Sequence, residues 1–379
     1  MKKIASIVLN NFVNDSRVLK ECVTLQNDGN DVTVIALHEG DLKEYEEVNG
    51  IKVYRIKLKT RNLPKNLIGQ IIKYVELSYK ILKKLTGKID IVHCNDLMPL
   101  PISVAMKLLT NGKTKIVYDA HEFQTETQKL QGKTLRKKLA TITETILITK
   151  VDKVITVSEG IAKEYEKRYT IKKPELVLNC PNYYEVSKTN KFRELFGIRE
   201  DQKILLYQGA LATGRGIEKL VEAMKELQKE RDDVVLVFMG MGHLKDFVKN
   251  EAQLNKNIHF LDAVPPSEVL DYTVSADIGV SLIENSCLNY YYSLPNKVFE
   301  YIMSGLPVIV SDLPEMKRIV EENNCGVAVE ISTEGFKESI SNLLEEDLNA
   351  YKKNSLAAAK KYNWEIQEQV LLNLYRDLL

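Results

Sequence analysis

With 379 residues, 44% of them hydrophobic, the chain can bury two cores and reads as two domains. Its net charge of +1 hides an asymmetry: residues 1–188 hold 32 Lys/Arg against 22 Asp/Glu, and residues 189–379 hold 21 against 30. The five scattered cysteines (Cys22, Cys94, Cys180, Cys287, Cys325) contain no Cys-x-x-Cys, which argues against a zinc or disulfide framework, and no apolar stretch approaches the length of a membrane span.

Lys2–Leu9 reads as a first strand, and its apolar run is too short for a signal peptide. The expected location is therefore cytoplasmic, with a peripheral position at the inner face of a membrane left open. Asn10–Arg17 is a polar loop, and Val18–Asp28 is a helix that Gly29 ends. Val32–Leu37 is the next strand, so the chain opens with a βαβ unit. Further strands are predicted at Lys52–Ile56, Ile89–Cys94, Lys115–Asp119 and Lys153–Val157, with helices between most of them. Alternation of this kind predicts an α/β fold with a doubly wound parallel sheet, whose ligands sit at the carboxyl ends of the strands. The polar residues there are Asn14, Asp15 and Arg17, then His93, Asn95 and Asp96, then Asp119, His121 and Glu122, then Ser158 and Glu159. Each alone is an ordinary loop or capping residue; gathered on one sheet edge they mark a binding crevice.

Two stretches of this half are basic and amphipathic. Arg61–Lys88 carries seven Lys/Arg and one acid, with Leu67, Ile71, Ile72, Val75 and Leu82 at helical spacing. Lys129–Lys150 carries six and one. Both fit an anionic membrane surface, and both equally fit helices that cover the sheet. Nucleic acid is disfavoured, because aromatic residues do not alternate with the basic ones.

Pro174 to about Asn190 reads as a linker, followed by a helix near Lys191–Phe196 and a strand at Lys203–Gln208. That strand enters Gly209-Ala-Leu-Ala-Thr-Gly214-Arg215-Gly216. The spacing is that of a phosphate loop with Arg in place of Lys and Gly in place of Ser/Thr. Arg keeps a charge that grips phosphate, and Gly removes the hydroxyl that would ligate magnesium. A plain glycine-rich turn is the alternative. Val234–Met239 is an apolar strand ending in Gly240-Met-Gly242, a weak cofactor signal but a reasonable close-approach turn. Ile258–Leu261 is a strand with Val264-Pro265 after it, and Ala276–Leu282 is another. Ser293–Ser311 (SLPNKVFEYIMSGLPVIVS) reads as helix, turn and buried strand. Pro295 and Asn296 start the helix, Asn296 being able to cap it, and Gly305 stops it. The free amides of the first turn, with Lys297 beside them and Glu300 one turn on, suit a phosphate next to a polyol. A nucleotide sugar has both. Tyr290, Tyr291 and Tyr292 read as exposed tyrosines lining a sugar pocket. Gly326–Val329 is a last strand, followed by helices at Phe336–Leu344 and Leu348–Leu379, the second carrying Trp364.

The string LPNKVFEY…SGLPVIVSD resembles the donor-binding segment of family-4 glycosyltransferases of the GT-B fold (glycosyl transferases group 1), and DAHE and the loop NNFVNDSR resemble segments of the same family. The resemblance implies two Rossmann-like doubly wound domains facing across a cleft. They would be an acceptor-side domain at 1–180, a linker at 181–202, a donor domain at 203–355, and a C-terminal helix at 356–379 that crosses back. It implies that Glu300 binds the donor ribose and that His121 contacts the donor sugar. Arg215 and Lys297 would serve the phosphates, and the turn at Val264-Pro265 the base. The family's second glutamate, eight positions before Glu300, is here Tyr292, and an earlier basic position is Ala210.

The function expected is transfer of a sugar from a nucleotide sugar, UDP-sugar favoured, to a glycan or lipid-linked acceptor, with retained configuration and no metal or cofactor. His121, Glu300, Arg215 and Lys297 are the catalytic candidates. Gly209, Gly214, Gly216, Gly240, Gly242, Val264, Pro265, Tyr292, Ser293, Leu294 and Asn296 are expected to bind the donor. Asn14, Asp15, Arg17, His93, Asp96 and Asp119 are expected on the acceptor side. A nucleotide-sugar epimerase or hydrolase on the same fold, and a non-catalytic nucleotide-sugar-binding subunit, are the alternatives.

Overall fold

The structure, a computed structural model, describes residues 1–185 and 187–378. Val186, within the expected linker, and Leu379, at the end of the expected last helix, lie outside them. The chain forms two compact units, one of residues 1–177 and 368–379, the other of residues 178–367. Among the described residues no helix is long and apolar enough to cross a membrane.

The first unit runs β1 (Lys3–Ile7), α1 (Ser16–Asn27), β2 (Asp31–Leu37), β3 (Tyr45–Val48), β4 (Ile51–Ile56), α2 (Leu67–Leu85), β5 (Ile91–Asn95), α3 (Leu100–Leu109), β6 (Lys115–Ala120), α4 (Thr134–Ile148), β7 (Lys153–Thr156), α5 (Glu159–Tyr169) and β8 (Glu175–Leu176). The sheet order is β3-β4-β2-β1-β5-β6-β7-β8, parallel except for β3. Strand order reverses between β1 and β5, which places the loop after β1 beside the end of β5. The antiparallel β3 is absent from the sequence reading. Its signal is Asn49-Gly50, both at positive φ, the two-residue hairpin turn that joins Val48 to Ile51.

The second unit runs α6 (Lys191–Phe196), β9 (Lys203–Ala210), α7 (Ile217–Leu227), β10 (Val234–Met241), α8 (Lys245–Leu254), β11 (Ile258–Asp262), α9 (Val269–Thr273), β12 (Ile278–Ser281), α10 (Leu288–Tyr291), α11 (Asn296–Met303), β13 (Val308–Ser311), α12 (Pro314–Glu322), β14 (Gly326–Val329), α13 (Thr333–Glu345) and α14 (Leu348–Ala359). All strands are parallel, in the order β11-β10-β9-β12-β13-β14. Apolar residues on both faces of β9, β10 and β13 feed two cores. The last helix, α15 (Trp364–Arg376), begins in the second unit and continues in the first. The single helix expected from Leu348 onward is broken at 360–363. Asn363 causes the restart: its Oδ1 accepts from Ile366 N at 3.0 Å, an N-terminal cap. Trp364 is buried, and its backbone N–H donates to Pro181 O at 2.8 Å.

β9 and β12 pair only at Leu205–Ile278 and Leu206–Gly279. Beyond that point the Tyr301 hydroxyl takes over the ladder. It accepts from Gln208 N at 2.9 Å and lies 3.0 Å from Leu206 O and 3.2 Å from Val280 O. The Tyr301 ring fits because residue 279 is glycine: a Cβ there would lie 2.3 Å from the ring. Gly279→Ala should therefore cost about 1–3 kcal/mol of stability through overpacking, read as a lower denaturant midpoint; an unchanged midpoint would contradict this packing.

Candidate functional site

In the second unit the candidate side chains gather at the switch point between β9 and β12, where open parallel sheets bind ligands. Gly209 near the end of β9, and Gly214 and Gly216 in the turn after it, are at positive φ, and Gly216 caps α7 in the left-handed conformation. The Arg215 guanidinium lies 5.0 Å from the Tyr290 ring centroid, a cation–π contact. Across the switch point α11 starts at Asn296 after Pro295, with no side-chain cap. Asn296 is thus the first helical residue and not the expected cap, which leaves first-turn amides to other acceptors.

Lys297, in that first turn, has a buried Nζ without a hydrogen-bond partner among the described residues, 3.8 Å from the Tyr207 ring centroid. Burial, reinforced by Arg215, lowers the ammonium pKa to about 7 against the opposing pull of Glu300. Two cations near a helix N-terminus form a site for an anion. Glu300 stands on the next turn, and its Oε2 accepts from Gln208 Nε2.

The remaining donor-side candidates divide. A Cβ at Gly240 would lie 1.9 Å from Gly209 O, and one at Gly242 would lie 2.1 Å from Leu211 O. Close approach of the backbone at Gly209 and Leu211 accounts for both glycines without a ligand. Val264 is half-buried and Pro265 exposed in the turn after β11. Ser293 Oγ donates to Tyr290 O at 2.7 Å, and Leu294 is buried in the core. Tyr290, Tyr291 and Tyr292 are half-buried, not exposed as expected: the first two lie on or beside α10 and pack on the core, and Tyr292 meets Tyr291 edge-on.

In the first unit the candidates form a charge network. Arg17 donates to both oxygens of Asp119, at 2.9 and 3.0 Å, and lies 3.1 Å from Glu21. His93 Nε2 is 3.3 Å from Glu21 and 3.6 Å from Asp119, and its Nδ1 meets the Tyr375 hydroxyl of α15 at 2.8 Å. His121 Nε2 lies 2.8 Å from Asp119, and its Nδ1 3.8 Å from Asp96. Burial opposes charge on both histidines, but the carboxylates outweigh it and raise each pKa to about 9. Burial likewise opposes the Asp119 charge, and Arg17 and His121 overcome it, holding that carboxyl well below its usual range. Glu21, His93 and Asp119 are spaced as three metal ligands could be, yet Arg17 already supplies the cation between the two acids.

Arg17, His93 and Asp119 are thus buried, Arg17 bonded to Asp119 and His93 to Tyr375, whereas His121 and Asp96 are partly exposed. Asp96 sits at φ +65, and its Oδ1 accepts from His121 N at 3.2 Å. Asn14 is exposed, and Asp15 caps α1 through Val18 N. Sequence reasoning missed Glu21, Gln208, Thr273 and Tyr375. Gln208 had a signal, a polar residue closing an apolar strand. Tyr375 and Thr273 are brought in by long-range packing that no local pattern announces.

Residues 16–180 match the Glycosyltransferase Family 4 family, and residues 188–362 match Glycosyl transferases group 1. An uncharacterized glycosyltransferase of Methanocaldococcus jannaschii is 25% identical over 93% of this chain and 91% of its own. The alpha-monoglucosyldiacylglycerol synthase of Streptococcus pneumoniae is 28% identical over 46% of this chain, which spans 41% of that protein. Among solved structures, Anabaena HepE in complex with UDP-glucose superposes with a TM-score of 0.76 at 15% identity, covering 100% of both chains.

Binding of a diphosphate favours the protonated Lys297 ammonium, so it takes up a proton when the free group is neutral. Affinity for a nucleoside diphosphate, itself fully ionised above pH 7, should fall as pH rises from 7 to 9, by up to about tenfold per unit. Lys297→Arg should flatten the profile in calorimetric titrations; a flat wild-type profile would contradict the assignment.

Proposed function

Because the chain is a glycosyltransferase of the GT-B fold, we propose that it transfers a sugar from a nucleotide sugar, UDP-sugar favoured, to a glycan or lipid-linked acceptor. The observation that carries this reading is the pairing of Arg215 and the hydrogen-bond-orphaned Lys297 Nζ beside the uncapped start of α11. Transfer breaks the bond from the anomeric carbon to the diphosphate and forms one to an acceptor hydroxyl, whose proton leaves. Negative charge develops on the departing diphosphate, and preorganised cations and amides aimed at it lower the barrier. Glu300 accepts hydrogen bonds from the ribose. The turn at Val264-Pro265 lies against the base, and Tyr292, Ser293 and Asn296 lie near the sugar and phosphates. Two side-chain cations in place of a metal ion support transfer without metal or other cofactor. Retained configuration follows the resemblance of the donor segment. His121 is the first unit's catalytic group, with Asn14, Asp15 and Asp96 on the acceptor side.

The first unit also supports a peripheral place on an anionic membrane, and with it a lipid-linked acceptor. Helices α2 and α4 both pack on α3. Their outer faces expose Leu67, Ile68, Ile71, Val75 and Tyr79 on α2, and Leu135, Leu139 and Ile146 on α4. Ile68 is 68% and Val75 61% exposed. Basic residues of the same stretches flank these stripes, the pattern of an interfacial helix. The S. pneumoniae relative is named for a glucosylated diacylglycerol, which agrees with this reading.

Nucleotide release from a panel of nucleotide sugars, with NMR of the product, tests the proposal. The expected result is release dependent on acceptor, unaffected by EDTA, with retained configuration. Arg215→Ala and Glu300→Ala should lower kcat/KM by about 100-fold or more. With Ile68→Glu/Val75→Glu, flotation on phosphatidylglycerol vesicles should be lost while nucleotide affinity stays. Inverted product, loss of activity in EDTA, or flotation indifferent to the double variant would each overturn the corresponding claim.

A further inference from the structure

Gln208 lies near the end of β9 and is 3% exposed, after the apolar run Ile204–Tyr207. A buried amide left unsatisfied costs roughly 1–3 kcal/mol, so each of its groups needs a partner. All three donor and acceptor groups facing α9 and α11 have one. The backbone N–H donates to the Tyr301 hydroxyl at 2.9 Å, Nε2 donates to Glu300 Oε2, and Oε1 accepts from Thr273 Oγ at 2.8 Å. Thr273, fully buried, closes α9.

Chemistry fixes the order of this chain. A carboxylate only accepts, so Gln208 must turn its NH₂ to Glu300. Its carbonyl then faces Thr273, which must donate. The acid on α11 therefore sets the amide orientation, and the Thr273 hydroxyl, which also lies 2.7 Å from Val269 O, adapts to it. A neutral donor holds the carboxylate in place without supplying a counter-charge, so the Glu300 charge still acts on Lys297. The Gln208 main chain is held by Tyr301, the residue next to Glu300, so strand and helix are tied at adjacent positions.

We propose that Gln208, held by Thr273, is a positioning residue that fixes the plane of the Glu300 carboxylate for the ribose hydroxyls of the donor. The proposal rests on Glu300 as the ribose acceptor. It also joins two parts of the nucleotide site, because α9 follows the turn at Val264-Pro265.

The test is the ratio of calorimetric affinities for UDP and 2′,3′-dideoxy-UDP, which isolates the hydroxyl contacts from the phosphate contacts. Wild type should favour UDP by about tenfold or more, the worth of hydrogen bonds to a charged group. Glu300→Ala should bring the ratio near one. Gln208→Leu should do nearly the same while affinity for the dideoxy nucleotide stays within about threefold of wild type. Thr273→Val, close in shape, should lower the ratio part of the way, and Thr273→Ser should keep it. A general loss of structure would instead weaken both nucleotides together. A wild-type ratio near one, or one that Glu300→Ala leaves intact, would overturn the ribose reading and this proposal with it. A normal ratio lost in Glu300→Ala but kept in Gln208→Leu and Thr273→Val would overturn the positioning role alone. If both variants weaken the two nucleotides equally, Gln208 is structural and the proposal also fails.

Discussion

Between Leu206 and Gln208 strand β9 exchanges a neighbouring strand for a phenol. The Tyr301 hydroxyl satisfies the Gln208 N–H where β12 no longer pairs with β9, and the glycine at 279 gives the ring its room. That one substitution of partner opens the sheet at its switch point without orphaning a buried amide. It also fixes the rotation of α11, because Lys297 and Glu300 stand on the helix that carries Tyr301. If the hydroxyl were absent, the amide, the helix and both functional side chains would lose their common anchor. The turn after β9 supplies Arg215 from the other side of the same opening, so the two cations are placed by different elements that meet at one strand.

The two units handle buried charge in opposite ways. In the first, Arg17, Glu21, His93, Asp119 and His121 compensate one another, and Tyr375 of α15 completes the set at His93. Such a network tolerates burial because every charge has an opposite nearby, and removing one member strands the others. It is a poor place for a further ion and a good brace for His121. In the second unit Lys297 is buried without a hydrogen-bond partner and carries a depressed pKa. A buried cation with no hydrogen-bond partner among the described residues, and with only Glu300 opposing its loss of charge, marks where a ligand adds compensation. The contrast separates scaffold from binding site more clearly than the residue types do, since both clusters hold Arg and carboxylate.

Much of this was legible in the sequence, for physical reasons. Parallel strands buried on both faces read as apolar runs, so β1, β2, β9, β10 and β13 were visible. Gly305 after a helix and Pro307 before a strand fixed the frame around α11. Arg215, Lys297 and Glu300 stood out because packing gives no reason for them. The errors have equally local causes. The Asn49-Gly50 hairpin was passed over because β3 carries too little apolar alternation, and the break at 360–363 depends on a side-chain cap inside helix-favouring surroundings. The tyrosines of 290–292 looked exposed because a short helix, invisible at four residues, turns two of them onto the core. Gly240 and Gly242 resembled ligand-approach positions, and their neighbour turned out to be the chain itself. The brace around Asp119 was unreadable for a different reason: Arg17, His93 and Tyr375 lie far apart in sequence, and only the packed sheet and α15 unite them.

The central claim is that the second unit grips the donor diphosphate between Arg215, Lys297 and the start of α11. A crystal structure of the full chain with a nucleoside diphosphate tests it most directly. The account predicts phosphate oxygens within hydrogen-bond distance of the Arg215 guanidinium and the Lys297 ammonium, with the ribose on Glu300. A diphosphate bound elsewhere, or one that leaves Lys297 Nζ without a contact, would contradict it.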